Sequence, residues 1–119
     1  MGVIHRRSPD GWQGVQPQTY HDPALDGVLK HELIGEAEGA AQYRVRYFQV
    51  PSGGRTARER HSHDHGVVIV SGRARVTLGD QEHEVREGDA IYVPGDELHC
   101  FETLGEEPLG FICVVGPRA

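Results

Sequence analysis

Glu59, His61, His63 and His65 occupy alternate positions of the chain, and His99 follows well downstream. In an extended segment, alternate side chains point to one face about 7 Å apart, so ligands at that spacing converge on one ion without bending the backbone. Imidazoles with at most one carboxylate suit a single divalent transition metal such as Mn, Fe, Ni, Cu or Zn. An ion held by three or four such donors keeps one or two coordination positions for water, dioxygen or a substrate oxygen, the condition for Lewis-acid or oxygenase chemistry. No separate nucleophile or catalytic acid stands out, and none is assigned.

The remaining histidines offer less. His83 sits among Gln81, Glu82 and Glu84 and is expected on a hairpin surface, and His5, His21 and His31 have no partner at a recognisable spacing and are expected to be exposed. Asp64, Asp89 and Asp96 stand at corners, where Asp side chains bond locally to backbone. Cys100 and Cys113 lack CxxC spacing, which fits buried small hydrophobes in a reducing compartment better than a disulfide.

The elements that position these groups are short strands. Tyr43, Val45 and Tyr47 alternate with Arg44 and Arg46 in a half-buried strand running to Val50 and ended by Pro51-Ser52-Gly53-Gly54. Val67 to Val70, the alternating Ala74, Val76 and Leu78, and then 81–85, 90–93, 98–101 and 109–115 continue the series, with Gly, Pro and Asp turns between them. No segment makes a helical crossover, so an all-β antiparallel sandwich or barrel is expected rather than a parallel sheet. Residues 28–34 are a short strand or one helical turn, and 35–41 a loop. Residues 1–27, rich in Gly, Pro, Gln and Asp, read as an irregular N-terminal arm, leaving 28–119 as one domain.

Two segments carry a family resemblance. Gly53, Glu59, His61, His65 and Gly72 are spaced as in cupin motif 1, G-x5-H-x-H-x3,4-E-x6-G, and Gly88, Pro94, Asp96 and His99 as in motif 2, G-x5-P-x-G-x2-H-x3-N. The chain therefore resembles small single-domain metal-binding cupins from about Tyr43 to Val115, which implies a jelly-roll barrel. Glu59 stands where the family has its first His, and His65 where it has its Glu. Asp96 and Thr103 replace the Gly and Asn of motif 2. In this register the resemblance implies Glu59, His61, His65 and His99 as ligands. A shifted register on Arg60-His61-Ser62-His63 gives His61, His63, His65 and His99. Phe101 shares the face of His99 by period two, and Phe111 and Cys113 share a face of the last strand, so these three are expected to wall a pocket.

Twelve basic against eighteen acidic residues, a net charge of -6, and Arg residues scattered along the chain exclude a phosphate-tracking face for nucleic acid. Residues 1–27 carry no helix-turn-helix pattern. The longest apolar runs are four and five residues, too short for a membrane span, and the start has no apolar stretch behind its positive charges, so a cytoplasmic protein is expected. The resemblance implies a metal-dependent enzyme acting on a small oxygenated organic molecule, with oxygenase-type chemistry favoured over isomerisation or lyase chemistry. The alternative is a non-catalytic ligand-binding or sensing module with a structural metal. A barrel this small exposes sheet edges, so a homodimer is expected, with the arm or the Tyr43–Val50 strand completing a neighbour's sheet.

Overall fold

Turn residues recurring between short alternating runs give a chain of antiparallel strands, and a computed structural model, described here for residues 1–117, shows how they assemble. The strands are β1 (Arg7–Ser8), β2 (Gly11–Trp12), β3 (Leu29–Ile34), β4 (Arg44–Val50), β5 (His65–Ser71), β6 (Arg73–Leu78), β7 (Gln81–Arg86), β8 (Ala90–Val93), β9 (His99–Leu104) and β10 (Leu109–Val115). One five-stranded sheet runs β3-β4-β10-β5-β8 and one three-stranded sheet runs β7-β6-β9, every pair antiparallel. The expected all-β jelly roll is what forms. No helix among the described residues is long and apolar enough to cross a membrane.

Between the sheets lies a core of aliphatic and aromatic side chains that includes Val50, Val67, Ile69, Val76, Leu109 and Phe111. Phe111 of β10 stacks on Phe101 of the facing β9 at 4.7 Å between centroids and on Phe48 of its neighbour β4 at 5.2 Å. This aromatic column joins the two sheets and forms one wall of the cavity described below. Segment 55–59 adds to the free edge of β9 through bridges Arg55 to Glu102 and Glu59 to His99.

The alternation in β4 is present, but its faces are the reverse of what the residue types suggest. Arg44, Arg46 and Phe48 face the barrel interior, whereas Tyr47 is buried on the outer face and Tyr43 is exposed. The cause lies in the arm. Residues 7–12, expected to be irregular, form the β1–β2 hairpin and lay Trp12 over Tyr47 at 4.8 Å, with the Arg7 guanidinium 5.1 Å above the Trp12 ring. β4 is not an edge, since β3 and β10 flank it, so it has no free side to lend a second copy. β3 is a strand, not a helical turn, and its backbone is bridged from Gln18.

His31 was expected at the surface and instead is buried, 3% exposed, packed edge-on to Trp12 with Nδ1 left without a partner. It is paired across the sheet with Tyr47, so the hairpin that covers one covers both. Gly11 sits at φ +141°, a conformation that L side chains rarely adopt, and a Cβ there would also press on the His31 ring at 3.3 Å. His5 is also partnered, to Glu38 at 2.9 Å, which ties the arm to the loop after β3.

Burial holds the His31 pKa below its ordinary value. The unfolded chain therefore takes up a proton first as pH falls through about 6.5, and stability falls with pH between the unfolded and folded values. Urea unfolding of wild type and His31→Phe at pH 7.5 and 5.5 is expected to show a smaller pH-dependent loss in the variant. Equal losses would remove His31 from the acid sensitivity of the fold.

Candidate metal centre

His65 opens β5, and His99 opens β9 on the opposite sheet, so the two enter the barrel from facing walls. His61 and His63 lie on the loop before β5. One ligand atom from each of His61, His65 and His99 falls within 4.8 Å of the others, a spacing that a single ion spans. Ring centroids of His65 and His99 are 5.1 Å apart, and those of His61 and His99 5.3 Å.

Each imidazole is oriented by a second contact. His99 Nδ1 donates to the Glu97 carbonyl at 2.9 Å, which can only accept, so its Nε2 carries the free lone pair. His65 Nδ1 lies 3.3 Å from Cys113 Sγ, and its Nε2 is buried with no partner. Burial first, and then the neighbouring His99, push the His65 pKa down to about 4, so near neutral pH its ring carries no proton charge to repel a cation. A buried ring nitrogen left unbonded costs roughly 1–3 kcal/mol, a cost that a metal ion would offset. The donor set, the orphaned Nε2 and the orienting contacts together fit a divalent transition metal.

Glu59 and His63 adjoin this triad without belonging to the mutually close set. Glu59 Oε2 sits 2.6 Å from His61 Nε2, and the Glu59 backbone exchanges hydrogen bonds with His99 at 3.0 and 3.1 Å. His63 stacks on His61 at 5.0 Å and lies 4.8 Å from His65, on the exposed side. Phe101, Phe111 and Cys113 line the same cavity, which has a volume of about 410 Å³. Its other wall holds Lys30, Arg44 and Arg46, none of which the sequence pattern had singled out. The alternation of Arg44 and Arg46 marks them as sharing one face of the strand, but period two does not say which face is inward.

The turn before His99 holds the His61 loop. Asp96 lies at φ 66°, a conformation where the family pattern has Gly and which Asp tolerates better than most residues, and its N–H donates to the His61 carbonyl. Gly95 packs so close that a Cβ would stand 2.5 Å from the Ser62 carbonyl oxygen. Gly95→Ala must therefore push the two loops apart. It is expected to cost about 1–3 kcal/mol and to weaken metal retention about tenfold or more, read by chelator competition. A variant that holds metal like wild type would show that the turn does not position His61.

Comparison with known proteins agrees with this geometry. Residues 46–115 match the model of the Cupin domain family. The chain is similar to 1-methylthio-D-xylulose 5-phosphate methylsulfurylase of Rhodospirillum rubrum, 41% identical over 106 residues that cover 87% of this chain and 67% of that protein. Among solved structures it is similar to a cupin 2 conserved barrel domain protein from Rhodopseudomonas palustris, with a TM-score of 0.84 and 30% identity over 98% of this chain and 81% of that one. The polyketide cyclase RemF from Streptomyces resistomycificus superposes with a TM-score of 0.83 and 25% identity over 99% of this chain and 80% of that one.

Proposed function

Because this chain belongs to the cupin domain family, we propose that it is a metal-dependent enzyme that holds one divalent transition metal on His61, His65 and His99 and turns over a small oxygenated organic molecule in the barrel. The observation that carries this is the buried, unpartnered Nε2 of His65 converging with the two other imidazoles on the cavity. The similar proteins include a methylsulfurylase and a cyclase by name, which supports an enzyme and leaves the reaction type to this chain's own chemistry.

When bound, such an ion supplies Lewis-acid polarisation of a substrate oxygen or, for a redox-active metal, a centre for dioxygen chemistry. The protein's own groups do the rest. Phe48, Phe101 and Phe111 keep one wall dry, Glu97 and Cys113 hold the His99 and His65 rings in place, and Glu59 or His63 completes the ligand set. Whichever of these two is not a ligand stands beside the site as a proton acceptor, Glu59 on His61 Nε2 and His63 on the solvent side. Three or four protein donors leave room for a substrate oxygen and dioxygen together, which supports an oxygenase-type reaction as the finer assignment.

Plasma mass spectrometry of protein made without added metal is the test, with near-stoichiometric Mn, Fe, Ni, Cu or Zn expected. Metal absent as isolated, with no uptake on titration, would overturn the proposal. Azide added to the cobalt-loaded protein is expected to change its visible spectrum through an open coordination position. An unchanged spectrum would favour a non-catalytic module with a closed, structural ion. Turnover that proceeds equally under argon would exclude the oxygenase-type reaction and leave isomerase or lyase chemistry.

A further inference from the structure

We infer that Lys30, Arg44 and Arg46 form an anion-binding wall of the cavity and that the molecule it takes is a phosphate monoester. This deepens the proposed function by naming the substrate class, and it rests on the same cavity being the substrate cavity. The charge argument itself needs no metal.

The protein as a whole is acidic, with a net charge of -6, yet three basic side chains line this cavity. Glu59 is the one acidic residue lining it among the described residues, and its carboxylate is engaged by His61. Positive charge is therefore placed here against the trend of the surface, the arrangement that focuses a field on an anion.

Strand geometry explains the convergence. Arg44 and Arg46 are two apart on β4 and share its inner face, while Lys30 on β3 lies opposite Phe48, one pleat along from Arg46 on that face. Neither guanidinium is satisfied from within the protein. Nε of Arg44 and Nε of Arg46 are both buried with no partner. The Arg44 side chain is only 16% exposed, and its contact with Glu32 is 3.6 Å long. Arg46 donates to Cys113 Sγ at 3.2 Å, a weak acceptor, and lies over the Phe48 ring at 5.2 Å. Glu32, the residue opposite Arg46 across the sheet, approaches Arg44 instead.

Half-buried guanidinium groups with free donors call for a planar or multivalent oxyanion. A phosphate monoester brings a charge of about -1.5 to -2 and three acceptor oxygens, which matches two guanidinium forks better than the single charge of a carboxylate. The wall is also close to the histidines. Arg46 and His65 contact the same Cys113 sulfur, at 3.2 and 3.3 Å, so an ester gripped by Arg46 would lay its carbon skeleton toward the imidazoles.

Isothermal titration calorimetry with ribose 5-phosphate, ribose and malonate tests this on the protein as purified and after chelation, in wild type, Arg44→Gln, Arg46→Gln and Arg46→Lys. The ester is expected to bind wild type at least about tenfold more tightly than ribose, and each Gln variant to weaken it about tenfold or more. Arg46→Lys should recover part of the loss, and chelation should leave the Arg dependence in place. Melting curves report folding, and Arg44→Gln, which spares the Cys113 contact, keeps the test open if Arg46→Gln unfolds.

Equal binding of ribose and the ester, or ester binding that survives both Gln variants, would overturn the wall. Binding lost on chelation and indifferent to the Arg variants would assign the anion to the metal and overturn the wall as well. Malonate binding more tightly than the ester, with the same Arg dependence, would overturn the phosphate assignment. Arg-dependent ester binding in a chain that never takes up metal would uphold the wall and count against the metal-dependent enzyme alone.

Discussion

Protein carrying His61→Ala and His65→Ala together is expected to be isolated without metal and to take up none on titration, while folding to the same barrel. Two of the three converging imidazoles are gone, and His99 with Glu59 or His63 cannot hold a divalent ion near stoichiometry against buffer. Stability of the metal-free forms should differ little. Truncating His65 leaves a void at a buried site, but it also removes a buried nitrogen whose lack of a partner costs roughly 1–3 kcal/mol. The difference appears on adding metal. Wild type gains about 2.7 kcal/mol of stability at a hundredfold excess over Kd, and the double variant gains nothing. Thermal melts with and without the ion read both quantities, and a variant that still melts higher with metal would place the site elsewhere.

Phe111→Ala is expected to cost about 3–5 kcal/mol, the range for emptying a buried aromatic position. The ring is 3% exposed and stacks on Phe48 and Phe101, so its loss opens a void between the two sheets and unseats both neighbours. A domain of this size has about 5–15 kcal/mol in total, so the variant should unfold at markedly lower urea. Phe111→Leu keeps most of the volume and should cost less than half as much. A loss under about 1 kcal/mol for Phe111→Ala would mean that the column is not what joins the sheets.

Much of this architecture was legible in the residues. Short alternating runs between Gly, Pro and Asp turns locate β4 to β10 within a few residues, because a half-buried strand must alternate and a tight turn needs those residue types. The resemblance of the two motifs to those of cupins implies that His61, His65 and His99 share one site, and His65 on β5 and His99 on β9 do meet His61 from facing sheets. The identity of the fourth donor was open in the residues, and Glu59 and His63 both stand next to the triad.

What the residues by themselves determined is the all-β class, the approximate strand boundaries and the candidate histidines, which follow from local period and from spacing within each motif, while the meeting of the two motifs is a property of the fold. Only the tertiary structure decided which face of β4 looks inward. Period two distinguishes the two faces of a strand but does not say which is covered, and Tyr and Val are the apolar choice for an interior. Here the β1–β2 hairpin covers the outer face with Trp12, burying Tyr47 and His31, while the inner face opens on a cavity where Arg44 and Arg46 are placed. That choice depends on contact between the arm and β3–β4, which are distant in sequence, and no pattern local to either segment carries it.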